Sequence, residues 1–164
     1  MSDRAKGRAP RSGGPRSAAR LAAIQALYQV EITGISGAVV ASEFVKYRLG
    51  QEIDGDEYLA ADEALFRSIV SGVLAHQDEL DPVISEVLTA EWPLERLEVI
   101  LRAILRAAGF ELAHRIDTPA RVVITEYVDI AHAFFTGKEP GLINGVLDRM
   151  ARRCRAAEWS GDAG

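Results

Sequence analysis

From Arg16 onward the apolar residues recur every three or four positions, and no stretch holds the strict alternation that a half-buried strand requires. A chain patterned this way buries its apolar faces only by packing helix against helix. Leu21, Ile24, Leu27 and Tyr28 mark a first helix from Arg16 to the Thr33-Gly34 stop. Val40, Phe44, Val45 and Leu49 mark a second over residues 39–49, followed by an acidic turn containing Gly50 and Gly55. A third runs over residues 61–75 through Leu65, Phe66, Ile69, Val70 and Val73, and Asp81-Pro82 reads as the cap and first position of a fourth ending at Leu88. After the Trp92-Pro93 break, residues 94–112 present a wide apolar face, which makes this segment the central helix. Thr118 before Pro119 reads as a cap. The helical period from Val122 to Phe135 outweighs the strand tendency of Val122-Val123-Ile124-Thr125. A last helix covers residues 142–155 and ends in Arg149, Arg152, Arg153 and Arg155, where cations suit the helix dipole. The expected fold class is all-α, a bundle of about seven helices.

Charge divides the chain unevenly. Residues 1–20 carry six basic side chains, Arg4, Lys6, Arg8, Arg11, Arg16 and Arg20, against the single acid Asp3, whereas the rest carries 13 basic and 23 acidic groups. Residues 1–15 mix Gly, Pro, Ser and Arg with few apolar groups, so they are expected to form a disordered basic arm ahead of a folded domain over residues 16–160. Clustered Lys and Arg favour a polyanion partner through counterion release, and a merely solvated tail is the open alternative. An organelle-targeting presequence fits poorly, because Gly7, Pro10, Gly13, Gly14 and Pro15 would break its amphipathic helix. Arg16 and Arg20, one turn apart, are expected on the outside of the first helix together with Gln25, as a partly ordered basic surface.

Catalytic and cofactor chemistry finds little support. At 164 residues with 48% hydrophobic and 26% charged groups, the chain has the size and composition of one ordinary globular domain. The single cysteine, Cys154, excludes an internal disulfide and a cysteine-based zinc site. Apolar runs are too short for a membrane span or a signal peptide, and a soluble cytoplasmic protein is expected. The Gly137-Lys138 pair fails as a phosphate loop, since His132 and Glu139 stand where Gly and Ser or Thr are needed. His76, His114 and His132 lie far apart and read as surface or packing residues. Glu126 and Asp129, three apart on one helix, read as a solvated pair rather than an acid/base couple. Phe134, Phe135, Leu142, Ile143 and both tryptophans read as core, with Phe135, before a polar loop, best placed to stack on an unpaired base. No cofactor or metal is expected. From the residues alone, RNA binding and a protein-only helical adaptor both stay open.

Three segments carry a family resemblance. RLAAIQALYQVEITG, Arg20 to Gly34, resembles the first helix of the bacterial NusB family of transcription antitermination factors. LRAILRAAGFEL, Leu101 to Leu112, and DTPARVVITEYVDIAHAFF, Asp117 to Phe135, are similar to its central helix and the D-x-P segment that follows. INGVLDRMAR, Ile143 to Arg152, is similar to its closing helix. The resemblance implies two three-helix subdomains and a non-catalytic protein. Such a protein binds boxA RNA of ribosomal RNA leaders as a heterodimer with NusE, a small-subunit ribosomal protein, and promotes antitermination complex assembly with other Nus factors on RNA polymerase.

It further implies RNA contacts from Arg16 and Arg20, from Gln25 and Tyr28 of the first-helix signature, from Phe135, and from Lys138 and Leu142 before the last helix, with the arm residues Arg8 and Arg11 compensating for Ser17 and Ala18, where many members have arginine. Thr125 stands where the family usually has Asn, and TGKEPG replaces its commoner G-x-E-D-S loop. The implied NusE surface falls on Glu98, Arg102 and Glu111. Membrane contact is not implied, and a homodimer is an open state. The RNA-binding domain of ribosomal RNA cytosine methyltransferases resembles the same family, but such an enzyme needs several hundred further residues, so the stand-alone factor is expected.

Overall fold

The computed structural model describes residues 14–48 and 62–163, which form seven α-helices and no strand. The arm residues Arg8 and Arg11, and the turn around Gly50 and Gly55, lie outside the described residues. Helix α1 (Gly14–Thr33) stops where Gly34 takes φ +76°, a conformation with little cost only for glycine, and its N–H closes on the Val30 carbonyl at 2.9 Å. Ser36 caps α2 (Gly37–Tyr47), and Asp62 caps α3 (Glu63–Val87) by accepting from the Leu65 N–H at 2.9 Å.

The expected break between residues 75 and 81 is absent, and α3 runs through Pro82 as one helix of 25 residues. Asp81 caps nothing; its two oxygens accept from Arg106 Nε and Nη2 at 2.8 and 2.9 Å. Leu80, Ile84 and Val87 are buried on either side, and that burial offsets the backbone bond that Pro82 cannot make. After a 3-10 turn (Leu94–Arg96), α4 (Val99–His114) begins five residues later than the apolar pattern suggested. It is the central helix, buried from Ala103 to Leu112 except at Arg106, and it packs against α1, α3 and the two helices that follow.

Pro119, not Thr118, occupies the cap position of α5 (Ala120–Phe134), and Thr118 is buried with its carbonyl accepting from Arg155. Helix α6 (Glu139–Cys154) opens on Glu139-Pro140, three residues earlier than expected, and α7 (Ala156–Ala163) was not anticipated. The count of seven therefore stands although two expected helices fuse and one is new. Helices α1 to α3 pack as one group and α4 to α6 as another, joined through the contacts of α4 with α1 and α3. Among the described residues no helix is long and apolar enough to cross a membrane.

A charged cluster sits where α1, α4 and α5 meet. Arg20 was expected outside but is 2% exposed, and Glu111, expected on a partner surface, is fully buried. Arg20 donates through Nε and Nη2 to the two Glu111 oxygens at 2.8 and 2.9 Å, a bidentate pair. Tyr127 Oη donates to Glu111 at 2.5 Å, Ser17 Oγ donates to Glu126 at 2.8 Å, and Arg20 Nη1 lies 3.5 Å from Glu126. Burial works against the Arg20 charge, yet the hydrogen bonds and charge of Glu111, with Tyr127 and Glu126 adding to them, raise its pKa above the ordinary value. Burial first and the Glu111 charge second push the Tyr127 phenol well up, so it stays a neutral donor. The first helix turn faces inward here because Ala19, Ala23, Ile24 and Leu27 carry the same side of α1 into the core.

A second buried arginine closes the α4–α5 corner. Arg155 donates to the carbonyls of Glu111, Leu112, Arg115 and Thr118 at 2.7–3.1 Å, satisfying helix-end acceptors that would otherwise lack partners. Glu158 of α7 accepts from Arg155 and also from the Ala120 N–H at 3.0 Å, in place of the missing side-chain cap.

Two outcomes follow. Arg20→Met leaves Glu111 and Glu126 buried without their counter-charge and should lower the unfolding free energy by roughly 3–5 kcal/mol in urea denaturation. Adding Glu111→Leu should recover much of that loss, whereas an unchanged midpoint for the single variant would show that the pair carries no stability. The Ala120 N–H, then Arg155, hold the Glu158 carboxyl below its ordinary 4.5, so its contribution is present above that pH and is lost as pH falls through the lowered value. Glu158→Gln should therefore weaken the protein near neutrality and flatten the acid limb of its stability curve below pH 4.5.

Candidate nucleic-acid interface

The outer face of α1 forms one wall of an open groove. Gln25, Tyr28, Gln29 and Ile32 line it from α1, Phe44 and Arg48 from the end of α2, Glu98 and Ile100 from the start of α4, and Phe134 from the end of α5, around about 530 Å³. Gln25, Tyr28 and Ile32 share a face because their spacing of three and four residues stacks them in one stripe, which flanks the buried Ile24 at the edge of the core-facing side. Tyr28 is 41% and Phe134 39% exposed, so two aromatic rings reach the groove at its rim. The Arg48 guanidinium lies 4.7 Å from the centre of the Phe44 ring, which sets a cation in the same wall.

The expected RNA residues divide into three groups. Gln25 and Tyr28 meet in the groove, together with Glu98 of the expected partner surface. Arg16 is exposed at the other end of α1, about 18 Å from Tyr28 at 1.5 Å per residue. Its Nε lies 4.0 Å from Asp62 on the surface, a contact of about 0–1 kcal/mol that a phosphate readily replaces. Phe135, Lys138 and Leu142 lie at the α5–α6 corner, with Lys138 exposed at the start of α6 and Phe135 and Leu142 half-buried. Arg20 takes no part in any outer surface, because its guanidinium is held inside by Glu111 and Glu126.

Among the expected partner residues only Glu98 is freely exposed. Glu111 is enclosed, and Arg102 is largely covered while it donates to the Leu97 carbonyl and pairs with Glu31. Glu126, read as half of a solvated pair, belongs to the buried cluster. Arg48 and Phe134 had no part in the expected site. Phe134 continues the inner face of α5 one turn past Ile130, and the sequence gives no sign that this face runs beyond the edge of the core there. The backbone turns to extended geometry at Phe135, so that ring packs partly against the core instead.

The sequence model of the NusB family matches residues 17–152. The transcription antitermination protein NusB of Nitrobacter hamburgensis is 54% identical over 145 residues, 88% of this chain and 91% of that protein. The crystal form of T. maritima NusB superposes with a TM-score of 0.70 at 30% identity, covering 84% of this chain and 91% of that one. A chain from the crystal structure of antitermination factors NusB and NusE in complex with double-stranded RNA superposes with a TM-score of 0.69 at 22% identity over 84% of this chain and 96% of that one. With the family's sequence running from the buried Ser17 to Arg152 of α6, and its fold shared over most of the helices, the chain belongs to the NusB family.

Proposed function

We propose that the protein is a transcription antitermination factor that binds boxA RNA of ribosomal RNA leader transcripts as a heterodimer with NusE, a small-subunit ribosomal protein. It acts by binding rather than by catalysis and helps assemble the antitermination complex with other Nus factors on RNA polymerase. The observation that carries the reading is the groove in which Gln25, Tyr28, Arg48 and Phe134 converge. Exposed aromatic rings stack on unpaired bases, an amide reads base edges, and a guanidinium meets phosphate, which is the set of contacts that single-stranded RNA recognition uses. Arg16 and the arm residues Arg4, Lys6, Arg8 and Arg11 add counterion-release affinity from one end of the same helix. Lys138, with Phe135 and Leu142, extends the surface along the α5–α6 corner. Glu98 offers an acidic contact to a basic ribosomal protein, in keeping with the acidic body of the chain. The solved relative that holds NusE and RNA together supports the pairing of the two partners.

The test is fluorescence anisotropy with a boxA RNA and a scrambled control, with and without NusE, at two salt concentrations. Tyr28→Ala and Phe134→Ala should each cost about 1–3 kcal/mol of boxA binding. Arg16→Glu should lower the log–log salt slope by roughly 0.7 for each phosphate that is no longer neutralised. Equal affinity for both RNAs would reduce the basic end to an electrostatic tether, boxA binding that survives removal of both aromatic rings would overturn the groove as the site, and no RNA binding with or without NusE would leave a helical adaptor for proteins alone.

A further inference from the structure

Away from the groove, the junction of α3 and α4 assembles three ligating side chains. His76 Nδ1 lies 3.1 Å from Glu79 Oε1, and His114 Nε2 lies 3.1 Å from Glu79 Oε2, although His114 is 35 residues further along the chain. One ligand atom from each of the three falls within 4.8 Å of the other two. The separations suit ligands shared by one ion, since tetrahedral bonds of about 2.0–2.2 Å set neighbouring donors roughly 3.4 Å apart. The two imidazole rings stack at 4.2 Å between centres, and the Phe110 ring stacks on both at 5.4 and 6.0 Å. Phe110 is itself fixed, because its ring lies over Gly72 where a Cβ would come within 2.2 Å. The support beneath the histidines is therefore rigid and apolar, while their outer edges and Glu79 remain open to solvent.

We propose that His76, Glu79 and His114 form a binding site for one divalent transition cation of the zinc type, bridging α3 and α4. Two imidazoles and one carboxylate match zinc, which takes nitrogen and oxygen donors at four positions; magnesium and calcium require six or more oxygens. The fourth position faces solvent and takes water or a donor from a bound partner. On binding, the ion replaces the two His–Glu hydrogen bonds, the N–H protons that made them pass to water or to the other ring nitrogens, and the rings open from their stack so that both freed lone pairs reach it. The bridge then ties the first helical group to the second through α3 and α4.

Untagged full-length protein, stripped with chelator, is titrated with Zn2+ by calorimetry and with Co2+ by visible absorption. One ion should bind per chain, and His76→Ala, His114→Ala and Glu79→Gln should each weaken it by at least the ~10–100-fold that even outer-shell partners of a metal command. His132→Ala, at an exposed position on α5, should leave it unchanged. In the wild-type protein, Zn2+ should shift the imidazole resonances of His76 and His114 and not those of His132, a readout that requires no variant to fold. Absence of saturable binding, equal binding by the His76 and His114 variants, or resonance shifts confined to His132 would each overturn the site.

Discussion

The ion pair between Arg20 and Glu111 is the constraint on which the rest of the molecule depends. A guanidinium and a carboxylate withdrawn from water are tolerated only when their hydrogen bonds are met, and here Tyr127, Ser17 and Glu126 complete the set. The five residues come from α1, α4 and α5, so meeting that demand fixes the first helix against two of the three helices of the second group. The groove depends on this placement. With α1 turned so that Arg20 faces Glu111, the stripe of Gln25, Tyr28 and Ile32, roughly 80–140° round the helix from it, comes to the edge of the buried face beside the end of α5. The cluster thus shapes the groove without lining it.

The helical class was legible because period and punctuation agreed along most of the chain. Gly34 stops α1 and Pro93 precedes the entry to α4, as their backbone restrictions require. Where the reading failed, a tertiary partner had overridden a local signal. Asp81 before Pro82 has the form of a helix start, but Arg106, 25 residues away, holds both Asp81 oxygens and the chain continues as helix. Thr118 has the form of a cap, but a carboxylate of α7 serves the first N–H of α5. No rule of local spacing contains either partner.

The same limit applied more severely to the site. An arginine at the start of an amphipathic helix is nearly always solvated, and only the distant Glu111 and Glu126 turn Arg20 inward. Tyr28 and Gln25 were legible only through the first-helix signature that the resemblance supplies, since the apolar period alone counts Tyr28 with Leu21, Ile24 and Leu27. Phe134 was not, because a helix-end residue on the inner face belongs to the core or to its rim according to where the neighbouring helices stop. His76 and His114 were separate histidines in the sequence and became neighbours through the crossing of α3 and α4.

Burial also changes how the charge asymmetry is understood. Arg20 drops out of the basic N-terminal set, leaving Arg16 as its one exposed member among the described residues. In the remainder, Glu111 and Glu126 are enclosed while Arg155 is the buried cation, so removing them leaves the outer surface of the helical body strongly acidic. Arg102 and Arg106 are mostly covered too, held by Glu31 and Asp81. A phosphate backbone approaching this body therefore meets favourable charge chiefly at the basic N-terminal end of α1 and locally at Arg48. Orientation follows from that imbalance. Under the proposed function, the polyanion is drawn to one end of α1 while the aromatic rim further along the helix supplies contacts that do not depend on charge, so that long-range attraction and base recognition fall to different parts of one helix.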